Sequence, residues 1–184
     1  MFIHNFIPEN MLDTIIVPLI KDKNEDLQDV NNYRPLALTS ILSKLLEFLI
    51  LNMYSHLLKT TCNQFGFKKK SSTDLCILSL RETINYFKTN NTPIFICFLD
   101  ASKAFDKLNH WHLFRKLLDR GMPPIIIRLL LYLYIRQSYS VKWGGCYSNR
   151  FFVTNGAPQG RICSPIFFNV YMNDLSLKLN KSNF

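Results

Sequence analysis

The chain has 184 residues, 22 Lys+Arg against 13 Asp+Glu, and a net charge of +9. Hydrophobic residues make up 48% and charged residues 19%, enough to build one core and too apolar for a disordered chain. The excess positive charge points to an anionic partner, nucleic acid first and an anionic membrane surface second. Five widely spaced cysteines without a C-x-x-C pair argue against a disulfide framework and a zinc site, and fit reduced thiols in the cytoplasm or nucleus. The most apolar stretch, Pro123–Ile135, is broken by Arg128 and is too short to span a bilayer. No secretory signal follows Met1.

In chain order, the β-branched run Thr14–Ile20 reads as a strand that Pro18 confines to an edge or a bulge. The polar run Lys21–Asn32 reads as an exposed loop. A helix is predicted over Ser40–Leu58, with Ile41, Leu45, Phe48, Leu49 and Tyr54 near a 3.6-residue period. Another runs from a Ser71–Ser72 cap to about Phe87. Ile94–Leu99 is short, apolar and bounded by turn residues, the pattern of a strand buried on both faces. A helix is expected from Lys103 to Asp119, ended by Gly121 and Pro123–Pro124, and a further one over Ile125–Ile135. Tyr139–Trp143 and Arg150–Thr154 flank Gly144–Gly145 as a β-hairpin. A last helix starts at Ser164–Pro165, with Ser as cap and Pro at the first helical position. This order implies an α+β fold.

Two segments carry chemistry. In Phe98-Leu-Asp-Ala-Ser-Lys-Ala-Phe-Asp106, a carboxylate leaves the carboxyl end of an apolar strand, the position where such folds place ligand groups. Asp100 there is either a metal ligand or a cap for the next helix. In Asn155-Gly-Ala-Pro-Gln-Gly-Arg-Ile-Cys-Ser-Pro165, two glycines around Gln159 allow close backbone approach to a ligand. The Gln159 amide could donate and accept there, or the segment could be an ordinary hairpin-to-helix loop. His110 and His112 are two apart, share no helix face and read as structural.

These two segments, taken with Ile16-Val-Pro-Leu-Ile-Lys21, Asn32-Tyr-Arg-Pro-Leu-Ala-Leu38, Lys44-Leu-Leu-Glu47 and Gln64-Phe-Gly-Phe67, resemble the reverse transcriptases of non-LTR, LINE-like retrotransposons. The resemblance implies a right-hand polymerase architecture, with finger segments in residues 1–93 and an incomplete palm in 94–184, including a finger-like hairpin at about 136–155. It implies template-directed deoxynucleotide addition by two-metal phosphoryl transfer, with an RNA template, a DNA primer and deoxynucleoside triphosphates as partners. Asp100 would be the catalytic carboxylate holding two Mg²⁺ ions, helped by the carbonyl of Ala101. Lys21 and Arg34 would meet the triphosphate, with a solvated surface charge as the other reading of each. Phe105 would lie under the sugar of the incoming nucleotide and exclude a 2′-hydroxyl, or else pack in the core. Gln159 and Gly160 would lie against the nascent base pair, and Lys68, Lys69 and Lys70 would contact nucleic acid.

The chain departs from the family pattern in places. Ala157 replaces a branched residue, and Arg161 replaces a small one, where it could add a phosphate contact or obstruct the site. No Asp-Asp pair occurs anywhere, so the third catalytic motif is missing, and neither thumb nor endonuclease region is legible. The sequence thus reads as a fragment, whose strand at Ile94–Leu99 should lack neighbours and whose Phe167, Phe168 and Tyr171 should lie more exposed than in the full enzyme. The competing readings are a non-catalytic remnant that at most binds RNA or DNA through its basic face, and a product unable to fold.

Overall fold

The β-branched run after Asp13 forms β1 (Asp13–Ile20) in a computed structural model that describes residues 7–179, with side chains as far as Leu175. β1 pairs antiparallel with β2 (Tyr33–Thr39), in register from Thr14↔Thr39 to Ile20↔Tyr33. The loop between them is exposed except for Asn32. The Asn32 side-chain oxygen accepts from the Asp22 N–H at 3.0 Å, and its amide donates to the Asp22 carbonyl at 2.8 Å. One buried amide therefore closes the loop and satisfies its own polar atoms.

On its other side, β1 pairs in parallel with β3 (Ser138–Trp143), but only from Asp13↔Ser138 to Ile16↔Val141. Pro18 lies beyond that ladder, opposite Pro35, so its missing donor costs the β3 pairing nothing. β3 turns through Gly144, at φ +57°, into β4 (Cys146–Tyr147), and β5 (Phe151–Phe152) pairs with the start of β3. The sheet order is β2-β1-β3-β4, so the hairpin read from the sequence joins the N-terminal strands in one sheet.

The helices differ from expectation mainly at their ends. α1 (Ile41–Met53) is capped by Ser40, whose hydroxyl accepts from the Ser43 N–H at 3.1 Å. It stops before Leu58 because Tyr54 leaves helical geometry, and Ser55–Leu58 continue as a 3₁₀ turn. Its buried stripe is Ser43, Leu46, Glu47, Ile50 and Leu51, while Ile41 (83% exposed), Leu45, Phe48 and Leu49 face out. An apolar run this broad hides which stripe meets the core.

α3 begins at His110, not Lys103, and runs to Asp119 with Asn109 as cap; residues 102–107 are turns. Gly121, at φ +87°, follows its end as expected. α4 (Pro124–Ile135) and α5 (Cys163–Leu179) pack with α1 and α3 around Ile50, Leu113, Leu117, Leu130 and Phe167. Phe167 is fully buried, and Phe168 and Tyr171 are half-buried against the same core.

The largest departure concerns Ile94–Leu99, which is not a strand. Phe95, Phe98 and Leu99 are 94%, 79% and 81% exposed. A strand needs a ladder partner, and none of the described strands pairs with this segment, so its amides turn to water. The preceding helix α2 (Thr73–Thr89), capped by Ser72, likewise has no buried residue. No described helix is long and apolar enough to cross a membrane.

Candidate functional site

The glycine-rich loop before α5 is sewn to two other segments. Its Gly156 and Ala157 N–H groups donate to the carbonyls of Leu108 (2.7 Å) and Phe105 (2.8 Å). The Gln159 carbonyl accepts from the Ala37 N–H of β2 at 2.6 Å. Gly156 sits at φ +96°, and a Cβ there would stand 3.1 Å from the Asp106 carbonyl oxygen. Gly160 sits at φ +110°, with the Ala37 carbonyl oxygen 2.5 Å from where its Cβ would be. Only glycine fits such backbone approaches. The two chemistry-bearing segments of the sequence therefore touch at Phe105–Leu108 and Gly156–Ala157.

Beneath the loop, His110 Nε2 lies 2.7 Å from the Gly156 carbonyl. Burial lowers the His110 pKa, outweighing the hydrogen bond to Gly156, and the Arg161 charge lowers it further. A neutral ring donating from Nε2 satisfies that geometry. Between the loop and the sheet lies a cavity of about 180 Å³, lined by Ile16, Pro35, Ala37, Tyr139, Gln159 and Asp106 among others. The Gln159 side chain and Gly160 are exposed.

The cations gather at the far end of the β1–β2 pair. The Lys21 N–H donates to the Asn32 carbonyl at 2.9 Å, which continues the ladder and makes exposed Lys21 and Arg34 diagonal neighbours. The Lys21 ammonium donates to the Asn31 carbonyl, and Lys103 Nζ donates to Asn31 Oδ1 at 3.2 Å. Lys103 was not singled out from the sequence, although its charge stands within the Lys-Ala-Phe-Asp run. Lys68 instead turns onto the carbonyls of Thr60 (3.3 Å) and Thr61 (2.9 Å), leaving Lys69 and Lys70 exposed.

Phe105 is half-buried, stacked on Phe168 with centroids 4.5 Å apart and edge-on to Phe67 at 5.9 Å. Asp100 and Ala101 are exposed on the irregular segment before it. Among the described residues no three His, Cys, Asp or Glu side chains converge as metal ligands. One carboxylate and a neighbouring carbonyl do not fit the six or so oxygens a hard divalent ion takes, so the described residues form no complete cage.

Arg161 neither reaches solvent nor blocks the loop. Its guanidinium is fully buried, with Nε 2.6 Å from Glu47 Oε1 of α1. Nη1 donates to Gln137 Oε1 at 2.8 Å, and the guanidinium carbon lies 5.0 Å from the Tyr134 ring centroid. Gln137 in turn donates to Thr14 Oγ1 and accepts from the Tyr139 hydroxyl at 2.9 Å. Burial, the largest influence, would lower the guanidinium pKa, but the Glu47 carboxylate together with Tyr134, Tyr139 and Cys163 outweighs it and the net shift is upward. The other Glu47 oxygen accepts from the N–H groups of Ile162 (2.9 Å) and Cys163 (3.1 Å), so it caps α5. Ser164, expected to be that cap, instead donates to the Pro158 carbonyl at 2.7 Å, and the helix starts at Cys163, ahead of the expected first helical residue Pro165. Nothing local could reveal this cap, because Glu47 lies more than a hundred residues away.

Residues 20–184 match the family described as Reverse transcriptase (RNA-dependent DNA polymerase). The chain is 28% identical over 177 residues to the RNA-directed DNA polymerase from mobile element jockey of Drosophila funebris, covering 92% of this chain and 19% of that protein. It is 30% identical over 148 residues to the probable RNA-directed DNA polymerase from transposon BS of Drosophila melanogaster (78% of this chain, 16% of that protein). A third relative is the Retrovirus-related Pol polyprotein from type-2 retrotransposable element R2DM of Drosophila melanogaster, 27% identical over 169 residues (88% and 15%). The chain spans a fifth or less of the length of these relatives. A mixed α/β chain whose two glycine- and aspartate-bearing segments interlock, and which matches over nearly its whole length, belongs to the reverse transcriptase (RNA-dependent DNA polymerase) family, as part of a non-LTR retrotransposon polymerase domain.

Proposed function

We propose that this chain forms the nucleotide- and template-facing part of an RNA-directed DNA polymerase. Residues 1–93 supply finger segments and 94–184 an incomplete palm with a finger-like hairpin at about 136–155; positions 1–6 and 180–184 lie outside the described residues. The observation that carries this reading is the interlock of the Gly156–Gly160 loop with β2 and with Phe105–Leu108. It sets exposed Gln159 at the edge of the cavity that Ile16, Pro35, Ala37 and Tyr139 of the sheet also line.

Within this reading, Lys21 and Arg34, joined by Lys103, face the triphosphate of a deoxynucleotide. Gln159 and Gly160 meet the base pair formed by RNA template and DNA primer. Lys69 and Lys70 contact the nucleic-acid backbone, with Lys68 supporting their loop. Asp100 and the Ala101 carbonyl contribute oxygens to a Mg²⁺ site that further carboxylates must complete. The Phe105 ring restricts the space beside the sugar, and its stack on Phe168 supports a fixed orientation. Five free thiols fit a reducing cytoplasmic or nuclear compartment.

Primer extension tests the reading. Within a longer polymerase carrying this segment, Asp100→Asn should abolish deoxynucleotide addition, because an amide keeps the shape and loses the charge. Phe105→Val should preserve DNA synthesis while admitting ribonucleotides; unchanged sugar selectivity would remove the gate. The second reading, a remnant that only binds nucleic acid, draws on the unconverged carboxylates. It predicts duplex binding by the 184-residue chain with no extension, whether or not Asp100 is replaced.

A further inference from the structure

We propose that the buried Glu47–Arg161 pair is a positioning device for Gln159, a role that rests on the polymerase reading above. Arg161 follows Gln159 by two residues, and its side chain is anchored from three directions, by Glu47 of α1, by Gln137 ahead of β3 and by the Tyr134 ring of α4. The same Glu47 carboxylate takes the backbone N–H groups of Ile162 and Cys163. One side chain thus pins both the flank of the loop and the start of α5. On the other flank, Gly156 and Ala157 hang on Leu108 and Phe105. Between these fixed points the Gln159 carbonyl is held by Ala37 and the Pro158 carbonyl by the Ser164 hydroxyl, while the Gln159 amide stays exposed.

A buried ion pair is a costly way to fill space, since apolar side chains of similar volume stabilise a core as well or better. Its distinct property is direction. A planar guanidinium that donates Nη1 to the Gln137 amide oxygen while its Nε lies against the Glu47 carboxylate is held from two sides, whereas apolar contacts let a loop slide. The geometry at Gly160, with no room for a Cβ against the Ala37 carbonyl, leaves little tolerance for such sliding.

The test uses the 184-residue chain and a fluorescent RNA–DNA primer–template duplex. Glu47→Gln combined with Arg161→Met leaves the net charge unchanged, so electrostatic attraction to the duplex is constant, and the amide oxygen can still accept from Ile162 and Cys163. This double variant should melt near the parent temperature while the Ala37 amide exchanges about tenfold faster, the mark of local release. Gln159→Ala should weaken duplex binding severalfold in the parent and add little in the double variant, because coupled sites are non-additive. Arg161→Lys, which keeps the charge but cannot serve Glu47 and Gln137 together, should fold with an intermediate Ala37 exchange rate. Parent-like exchange at Ala37 in either variant, or an undiminished Gln159→Ala effect in the double variant, overturns the proposal. If the double variant does not fold, Arg161→Lys decides by the same exchange criterion. A parent chain that binds no duplex at low salt removes the polymerase reading instead, and the exchange comparison still decides whether the pair holds the loop.

Discussion

His110 shows how one buried side chain makes the loop before α5 sensitive to pH. Its ring sits 2.7 Å from the Gly156 carbonyl and burial holds its pKa below the ordinary value. The folded state therefore binds the proton less readily than the unfolded chain. Its contribution is fully present above the ordinary histidine value of about 6.5 and is lost as pH falls towards the lowered folded value. Urea unfolding at pH 7.5 and 5.5 (values flanking ~6.5) should show a loss of stability that shrinks in His110→Gln, whose amide can still donate to Gly156. Gly160 offers a steric counterpart. Gly160→Ala puts a Cβ 2.5 Å from a backbone oxygen at φ +110°, and should cost about 1–3 kcal/mol in the same assay. Gly145→Ala meets nothing within 4 Å and should stay within about 0.5 kcal/mol of the parent.

Among the elements, α5 and α2 are opposites. The N-terminus of α5 is buried, and burial followed by the Glu47 charge pushes the Cys163 thiol well up, so it stays protonated and unreactive. Cys62, Cys76, Cys97 and Cys146 are exposed. Iodoacetamide on the folded chain should label those four by mass spectrometry and reach Cys163 only after denaturation. By contrast, α2 and the segment 92–101 bury almost nothing, and Phe95, Phe98 and Leu99 stand in solvent. Replacing these three with serine should move the melting midpoint by an amount equivalent to no more than about 0.5 kcal/mol. Sedimentation should show less self-association, because a contiguous exposed apolar patch is removed.

For the whole molecule, the charge of +9 predicts how the proposed nucleic-acid partner would be bound. On the proposed function, exposed Lys21, Arg34, Lys69, Lys70 and Lys103 would contact phosphates without reading bases, so affinity for RNA or duplex should fall linearly in log K against log salt. Fluorescence anisotropy across a salt series measures this directly. A salt-independent affinity, or none at low ionic strength in a folded sample, would remove the electrostatic account.

The amino-acid sequence by itself determined the features encoded by neighbouring residues. Ser40, Ser72, Gly121 and Pro124 mark helix boundaries through their own capping and backbone preferences, and they do so in the folded chain. The run Thr14–Ile20 forms its strand, and the spaced motifs around Asp100 and Gln159 carry the family assignment. Features that depend on a distant partner were decided only by tertiary structure. Ile94–Leu99 has strand composition but no ladder to join, so it stays irregular. The stripe of α1 that enters the core, the capping of α5 by Glu47, the burial of Arg161 and the meeting of Lys21 with Lys103 on Asn31 all join segments far apart along the chain. Local propensity acts over a few residues. Hydrogen bonding and desolvation act on whatever the fold brings within about 3 Å, and no periodicity in the sequence records that.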